Sequence, residues 1–522
     1  MVSLSRHFRR SVGPGLLIGL VVGAVAIGVG QLAAGVVDPR TSPVITVGQA
    51  AIDATPEWLK SFAIRTFGTH DKLVLLVGMG VVLALISIAL GVASVQRVWV
   101  GMDGLVAFGA LGVAAALTRP ASRQADAVPA ILGTLAAAGM LLALASARSP
   151  SGASRNVASS TTPVVTPGSI DRRRFFLVGA VGATAATLAA GAGNVIARRF
   201  RADASREAVR IPVPASRAAT PSGVQSPIEG VGPFFTPNGH FYRVDTALLV
   251  PAVMAEHWRL RVHGMVDHEI TLNFAQLLAR PLIERDVTLT CVSNQVGGRY
   301  AGNARWIGAP LRDLLDEAGV RPGADQIVTR SVDGFTVGTP TAIATDGRDA
   351  MLAVAMNGEP LPLAHGFPVR MVVPGLYGYV SATKWVVDME LTTFDAFDPY
   401  WIRRGWAEPG PIKTMSRIDT PKSLARVQPG QIPVAGVAWA QHRGIARVEL
   451  KVDGAAWVEA QLAAEDTIDT WRQWVVLWDA TRGDHTLQVR ATDGTGEVQT
   501  GERATPFPDG ATGRHTIVVK VA

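Results

Sequence analysis

The chain contains a single cysteine, Cys291, set in the string DVTLTCVSNQVGG. A thiolate is a soft, strongly donating ligand for a redox metal, and it is also a nucleophile. One cysteine excludes an intramolecular disulfide. In an exported chain a lone thiol is open to oxidation and mispairing, which favours an occupied sulfur. A buried core cysteine is the blander reading, and by frequency the commoner one. As a nucleophile Cys291 would need a histidine base, a role His365 fills on paper. Val287, Leu289 and Cys291 alternate and so share one face of a strand, and SNQVGG after them is loop-forming. Cys291 is therefore expected at the end of a strand, where an irregular loop brings backbone and side chains to a ligand.

The elements that hold such a strand begin well after the N-terminus. Of 522 residues 48% are hydrophobic and 17% charged, and the apolar excess sits in the first 200. Five runs there suit transmembrane helices, at 12–37, 73–93, about 98–117, about 127–147 and 175–196. Small residues crowd them, as expected where helices pack closely in lipid. The string IDRRRFFL precedes the fifth run. Arg172, Arg173 and Arg174 with Phe175 and Phe176 resemble a twin-arginine export signal, with Asp171 where Ser or Thr is usual. The same arginines also satisfy the positive-inside rule. Five spans from a cytoplasmic N-terminus place the C-terminal region outside the cytoplasm, so the expected localisation is multi-pass in the cell membrane with an extracytoplasmic catalytic part. The net charge is +7, but no basic stripe interleaved with aromatics is present, so no nucleic-acid partner is expected.

Residues 201–227 (with IPVPASRAATPSG) read as an extended tether between the membrane region, 1–200, and the remainder of the chain. Beyond them the chain turns to short strands and turns. TLNFAQLLA starts a helix with Thr271 or Asn273 as cap, and WIGAPLRDLLDEAG is an amphipathic helix ended by Gly319. From 412 to 522 ARVELKVDGAAWVEA reads as a hairpin turning at Asp453–Gly454, and WRQWVVLWDA and HTLQVRATDGTGE continue the β pattern. Trp439, Trp457, Trp471, Trp474 and Trp478 are expected in the packing of its sheets.

The ordered set TLTCVSN, GNARWIGAPLRDLLDEAG, SVDGF and LAVAMNGEPLPLAHGFPVRMVVPGLYGYVSATKW resembles the sulfite-oxidase-type molybdopterin-binding domain, over roughly 230–410. The resemblance implies an α+β catalytic domain at 228–411 and an immunoglobulin-like β-sandwich, often a dimerisation module, at 412–522. It implies a molybdenum–molybdopterin cofactor with Cys291 as metal ligand and catalytic residue. The pterin ends in a phosphate and needs cations and fixed hydrogen bonds. By the same resemblance Asn238, Phe241, Tyr242, Asp333, His365, Arg370, Ser381, Thr383 and Lys384 are cofactor contacts. Sulfite oxidases carry a Cys-x-Gly-Asn-Arg-Arg string; here Arg299 and Arg305 come later, which unsettles sulfite as the substrate. Arg403, Arg404 and Lys413 are read either as an anion-attracting rim or as a solvated basic face.

The function expected is a membrane-anchored oxidoreductase that transfers an oxygen atom and two electrons on a small oxo-compound, sulfite or a sulfoxide. Expected partners are that substrate, membrane lipid, a separate electron donor or acceptor (a cytochrome or quinone) and, as an option, a second copy in a homodimer. The alternatives are a thiol-dependent hydrolase using Cys291 and a non-catalytic extracytoplasmic binding protein on the same fold.

Overall fold

The computed structural model describes residues 2–56, 59, 62, 66, 71–119, 122–148, 172–198, 202–219 and 221–522. They fall into two units, Met1–Arg201 with Ala247–Leu249, and Ala202–Thr246 with Val250–Ala522.

The first unit is helical: α1 (Val2–Val37), α2 (Pro43–Ala54), α3 (Asp71–Gln96), α4 (Val98–Leu117), α5 (Val128–Arg148) and α6 (Arg172–Ala197). Five segments are long and apolar enough to cross a membrane: Val12–Val37, Leu73–Gln96, Val98–Leu117, Gln124–Arg148 and Arg173–Ala197. They coincide with the five runs read from hydropathy. Small residues let α1 lie directly against its neighbours, Gly19 facing Ser87 of α3 and Gly28 facing Ala186 of α6. Outward-facing leucines such as Leu85, Leu135 and Leu188 are 61%, 63% and 68% exposed, a pattern suited to hydrocarbon rather than water. Helix α2 has no counterpart in the hydropathy reading. Asp171 lies outside the described residues.

The second unit starts within the segment read as an extended tether, and the chain there is docked on the domain. Asp203–Ala208 is a helical turn, and the chain after it is laid on the domain. Arg206 bonds the carbonyls of Pro360 and Leu361 and pairs with Glu359 at 2.8 Å. Ala215 N donates to Leu282 O, and Ser226 N to Gln473. A proline-rich composition lowers the entropy lost on docking, so an extended chain can be a fixed strap as readily as a linker.

The region 259–392 contains β1 (Arg259–Gly264), β2 (Ile270–Asn273), β3 (Ile283–Thr290), β4 (Ala301–Pro310), β5 (Gln326–Ser331), β6 (Thr336–Pro340), β7 (Met351–Met356), β8 (Glu359–Pro360), β9 (Arg370–Val372) and β10 (Val386–Thr392). One sheet runs β2-β1-β10-β5-β6, with β1 parallel to β10; the other runs β3-β4-β7-β8, with β9 added on β7. One core joins them, with Trp258, Trp306, Phe367 and Met351 at 1% exposure or less. Asn273 caps the helix Phe274–Leu278 in a capping box with Gln276, and Gly319, at φ 66°, ends the helix Leu311–Ala318.

The C-terminal region is β-rich. It contains β11 (Met415–Thr420), β12 (Arg426–Val427), β13 (Gly430–Trp439), β14 (Ile445–Val452), β15 (Val458–Glu459), β16 (Gln461–Leu462), β17 (Arg472–Ala480), β18 (Gly483–Asp493) and β19 (His515–Val521). Two sheets, β11-β13-β17-β16 and β12-β19-β18-β14-β15, share a core that includes Val434, Trp474, Leu450 and Val489. Trp439, Trp471, Trp474 and Trp478 are buried as expected. Trp457 is the exception: it is half-buried beneath Lys451, Arg490 and Arg514, whose cations stand 4.7, 4.3 and 5.2 Å from its ring centroid.

Candidate active site

Strand β3 ends at Thr290, one residue before Cys291, and β4 begins at Ala301. The intervening loop is braced by its own polar groups. Cys291 N donates to Tyr300 O at 2.9 Å, Asn294 N to Cys291 O at 3.0 Å, and Tyr300 N to Asn294 Oδ1 at 2.8 Å. Cys291 is buried, and burial pushes its thiol up. Hydrogen bonds from Ser293 and the charge of Lys384 act in the opposite direction. Among the described residues no cluster of three or more His, Cys, Asp or Glu side chains is placed to hold a metal.

The segment Leu363–Lys384 brings cations to the same place. Leu363–His365 is a short 3-10 turn closed by Gly366 in a left-handed conformation, followed by β9 with Arg370. His365 Nε2 donates to Asn238 O at 3.2 Å, and burial with the Arg370 and Lys384 charges holds the imidazole neutral, its pKa pushed down to about 4. Arg370 is buried over the Trp306 ring, 5.0 Å from its centroid. One guanidinium nitrogen donates to His365 O at 3.2 Å, while its Nε has no hydrogen-bond partner. No carboxylate pairs with Arg370 among the described residues, and burial lowers its pKa to about 10. Lys384 pairs with Asp245 at 2.9 Å and stands 4.6 Å from the Trp385 centroid; burial brings it down to about 8 against the opposing pull of Asp245.

Aromatic residues join the cysteine to these cations. Phe241 stacks on Tyr242 at 5.2 Å and meets His365 and Trp306 edge-on at 5.6 and 5.9 Å. The Tyr242 phenol is raised first by burial, then by the Cys291 charge, with Arg370 opposing. Tyr377 is pushed up to about 12, again chiefly by burial, with Cys291 contributing. Cys291, Tyr242, Phe241, His365, Arg370 and Lys384 thus form one neighbourhood, with Asn238 bound at its edge through Asn357, Met356 and Glu359.

Three expected contacts are engaged elsewhere. The Ser381 hydroxyl donates to Leu376 O and Tyr377 O, each at 3.0 Å. Thr383 shares a buried hydroxyl–hydroxyl bond with Thr329. Asp333 accepts from Phe335 N at 3.2 Å and shapes its own turn. Arg305 is committed to Asp286 at 2.7 Å and Lys413 to Asp509 at 3.0 Å, while Arg404 covers Tyr400. Sequence reading missed Tyr377, Trp306 and Asp245. Trp306 and Tyr377 lie within the motif strings, but only the folded chain shows that Trp306 lies under Arg370, that Asp245 pairs with Lys384 and that Tyr377 stands near Cys291.

Residues 247–401 match the oxidoreductase molybdopterin binding domain. Over 149 residues the chain is 34% identical to the uncharacterized oxidoreductase YuiH of Bacillus subtilis (strain 168), a match covering 28% of this chain and 72% of that protein. Mitochondrial sulfite oxidase of Drosophila melanogaster is 33% identical over 306 residues, covering 50% of this chain and 52% of that protein. Sulfite oxidase of Arabidopsis thaliana is 26% identical over 355 residues, covering 56% and 90%. The chain belongs to the sulfite-oxidase-type family of molybdopterin-dependent oxidoreductases. It spans about half the length of the animal sulfite oxidases it matches, 52% for the fly protein and 57% for the mouse one. The family's cofactor is molybdenum–molybdopterin, and the site suits such a group. A buried guanidinium with a free Nε donor and, among the described residues, no carboxylate partner suits an anion, and the buried Cys291 thiol suits a metal that arrives with ligands of its own.

Proposed function

We propose that the chain is a membrane-anchored molybdopterin-dependent oxidoreductase that transfers an oxygen atom, with two electrons, on a small oxo-compound, sulfite or a sulfoxide. Electrons pass to or from a separate partner, a cytochrome or a quinone. The observation that carries this reading is the buried Arg370 guanidinium near Cys291, whose Nε has no hydrogen-bond partner and which no carboxylate pairs among the described residues.

When bound, molybdenum–molybdopterin supplies the two-electron oxygen-transfer chemistry. The residues supply the rest. Cys291 Sγ is the metal ligand. Arg370 and Lys384 would hold an anionic part of the pterin, and His365, kept neutral and bonded to Asn238 O, would line the site. Phe241 and Tyr242 wall the site and exclude water. Asp333, Ser381 and Thr383 would shape the segments around the cofactor through their own internal hydrogen bonds.

The domain plan that goes with this reading is a membrane region at 1–200, a strap at 201–227, a catalytic domain at 228–411 and an immunoglobulin-like sandwich at 412–522. The five apolar helices support a multi-pass membrane location; with a cytoplasmic N-terminus, five spans would leave the catalytic part outside the cytoplasm. A homodimer through the C-terminal sandwich is compatible with it. The hydrolase alternative is disfavoured: His365 points Nε2 at Asn238 O, and among the described residues no histidine is hydrogen-bonded to Cys291.

Metal analysis tests the proposal. Full-length protein from a cofactor-competent host should contain stoichiometric molybdenum, and Cys291→Ser should lose it. Metal-free protein from that host, with Cys291 open to iodoacetamide, would overturn the reading.

A further inference from the structure

The loop from Cys291 to Tyr300 is closed at its base by its own strands, and its tip is gripped by the C-terminal β region. Arg417 of β11 donates to Gly298 O at 2.9 Å. The same guanidinium pairs with Asp419 at 2.7 Å and lies 6.0 Å from the ring centroids of both Trp439 and Trp471. His515 of β19 accepts from Ile418 N through Nδ1 at 3.0 Å, which fixes the ring and turns its other edge to Gly297. Gly297 sits at φ 76°, and a Cβ there would meet His515 Cδ2 and Nε2 at 2.3 Å. Any other residue at 297 would thus be strained by its backbone and blocked by the imidazole.

We infer that Arg417 and His515 are positioning residues that set where the Cys291 loop lies, so that the C-terminal β region fixes the direction of the thiol. Arg417 does not serve as an anion receptor. Asp419, 9% exposed at its side chain, already neutralises it, and the free donor goes to a loop carbonyl. His515 is uncharged, since burial and the Arg417 charge push it down to about 4, so it acts as an acceptor and a steric stop. The loop's own hydrogen bonds brace its base and its turn; the two contacts at the tip remove the freedom that remains. The catalytic meaning rests on Cys291 as the metal ligand, whereas the grip itself does not.

The test uses the full chain in detergent, isolated without cofactor. Cys291 is the only cysteine, so iodoacetamide reads this loop alone. Arg417→Ala and His515→Ala should be alkylated at least about tenfold faster than the parent, at a temperature well below melting. His515→Asn, which keeps an acceptor near the Nδ1 position, should fall back toward the parent rate. Unchanged rates in folded alanine variants would overturn the inference. If those variants do not fold, amide exchange in the parent decides. Protection across 293–299 supports the grip, and exchange as fast as in free peptide overturns it. Neither measurement needs molybdenum, so a failed metal analysis and a failed grip are told apart.

Discussion

Arg370 illustrates how one residue separates stability from function. Its guanidinium is buried, has one backbone acceptor and no carboxylate partner among the described residues. Removing a charge from water without a counter-ion costs several kcal/mol, more than one hydrogen bond returns. The cation is therefore a burden to the empty protein and an asset to an anionic ligand. Arg370→Met should leave the cofactor-free protein as stable or more stable, by up to about 4 kcal/mol. The same variant should retain pterin at least about tenfold less well, because a charge-assisted bond is lost. Chemical denaturation and pterin fluorescence after oxidation would measure the two effects. A loss of stability together with unchanged pterin content would contradict both.

At the scale of elements, the turn after His365 decides whether the cations meet. Gly366 has φ 111°, and a Cβ there would approach Arg370 Cβ and Lys384 Cβ, each at 3.1 Å. These distances are tight enough to push β9 and the Lys384 segment apart. Gly366→Ala should lower stability by about 1–3 kcal/mol and reduce cofactor content as well, measured on one preparation by denaturation and metal analysis. Elements set by local pattern behaved as the sequence suggested. Asn273 caps its helix, Gly319 ends the next, and the five apolar runs are helices. Elements set by distant partners did not. The tether is a docked strap because Pro360, Leu361, Leu282 and Gln473 offer it backbone and side-chain partners far along the chain.

At the scale of the whole molecule, β3 meets the C-terminal region through buried polar groups. Thr288 O accepts from Gln441, and the Thr288 hydroxyl accepts from Trp471 N. Nearby, Asp466 is pushed up to about 7 by burial and by its bond to the Asp286 carboxyl, and its Oδ2 is buried with no partner. Because this pKa lies above the ordinary carboxylate value, the folded protein holds a proton that the unfolded chain releases. The contribution to stability is whole below about pH 4 and is lost as pH rises through 7. The denaturation midpoint should therefore fall across that window, and Asp466→Asn should flatten the fall. A midpoint with the same slope in both proteins would remove Asp466 as the cause. The proposed membrane topology makes a separate demand: alkaline phosphatase fused after Ala522 should be active, and activity of a cytoplasmic reporter alone would reverse the orientation.

Read alone, the sequence determined what depends on local order: the apolar spans, the β pattern of the C-terminal region, Cys291 at a strand end, and the motif set that implied the cofactor family. These come from periodicity, turn chemistry and contiguous strings, all carried within a few residues. The tertiary structure decided which polar groups remain free. His365, Arg370, Ser381, Thr383 and Lys384 look alike in a motif. Folding satisfies the two hydroxyls internally, pairs Lys384 with Asp245, and leaves Arg370 Nε without a partner. That choice rests on partners more than 50 residues away for Thr383 and more than 100 away for Lys384 and Cys291's loop, which no local pattern encodes.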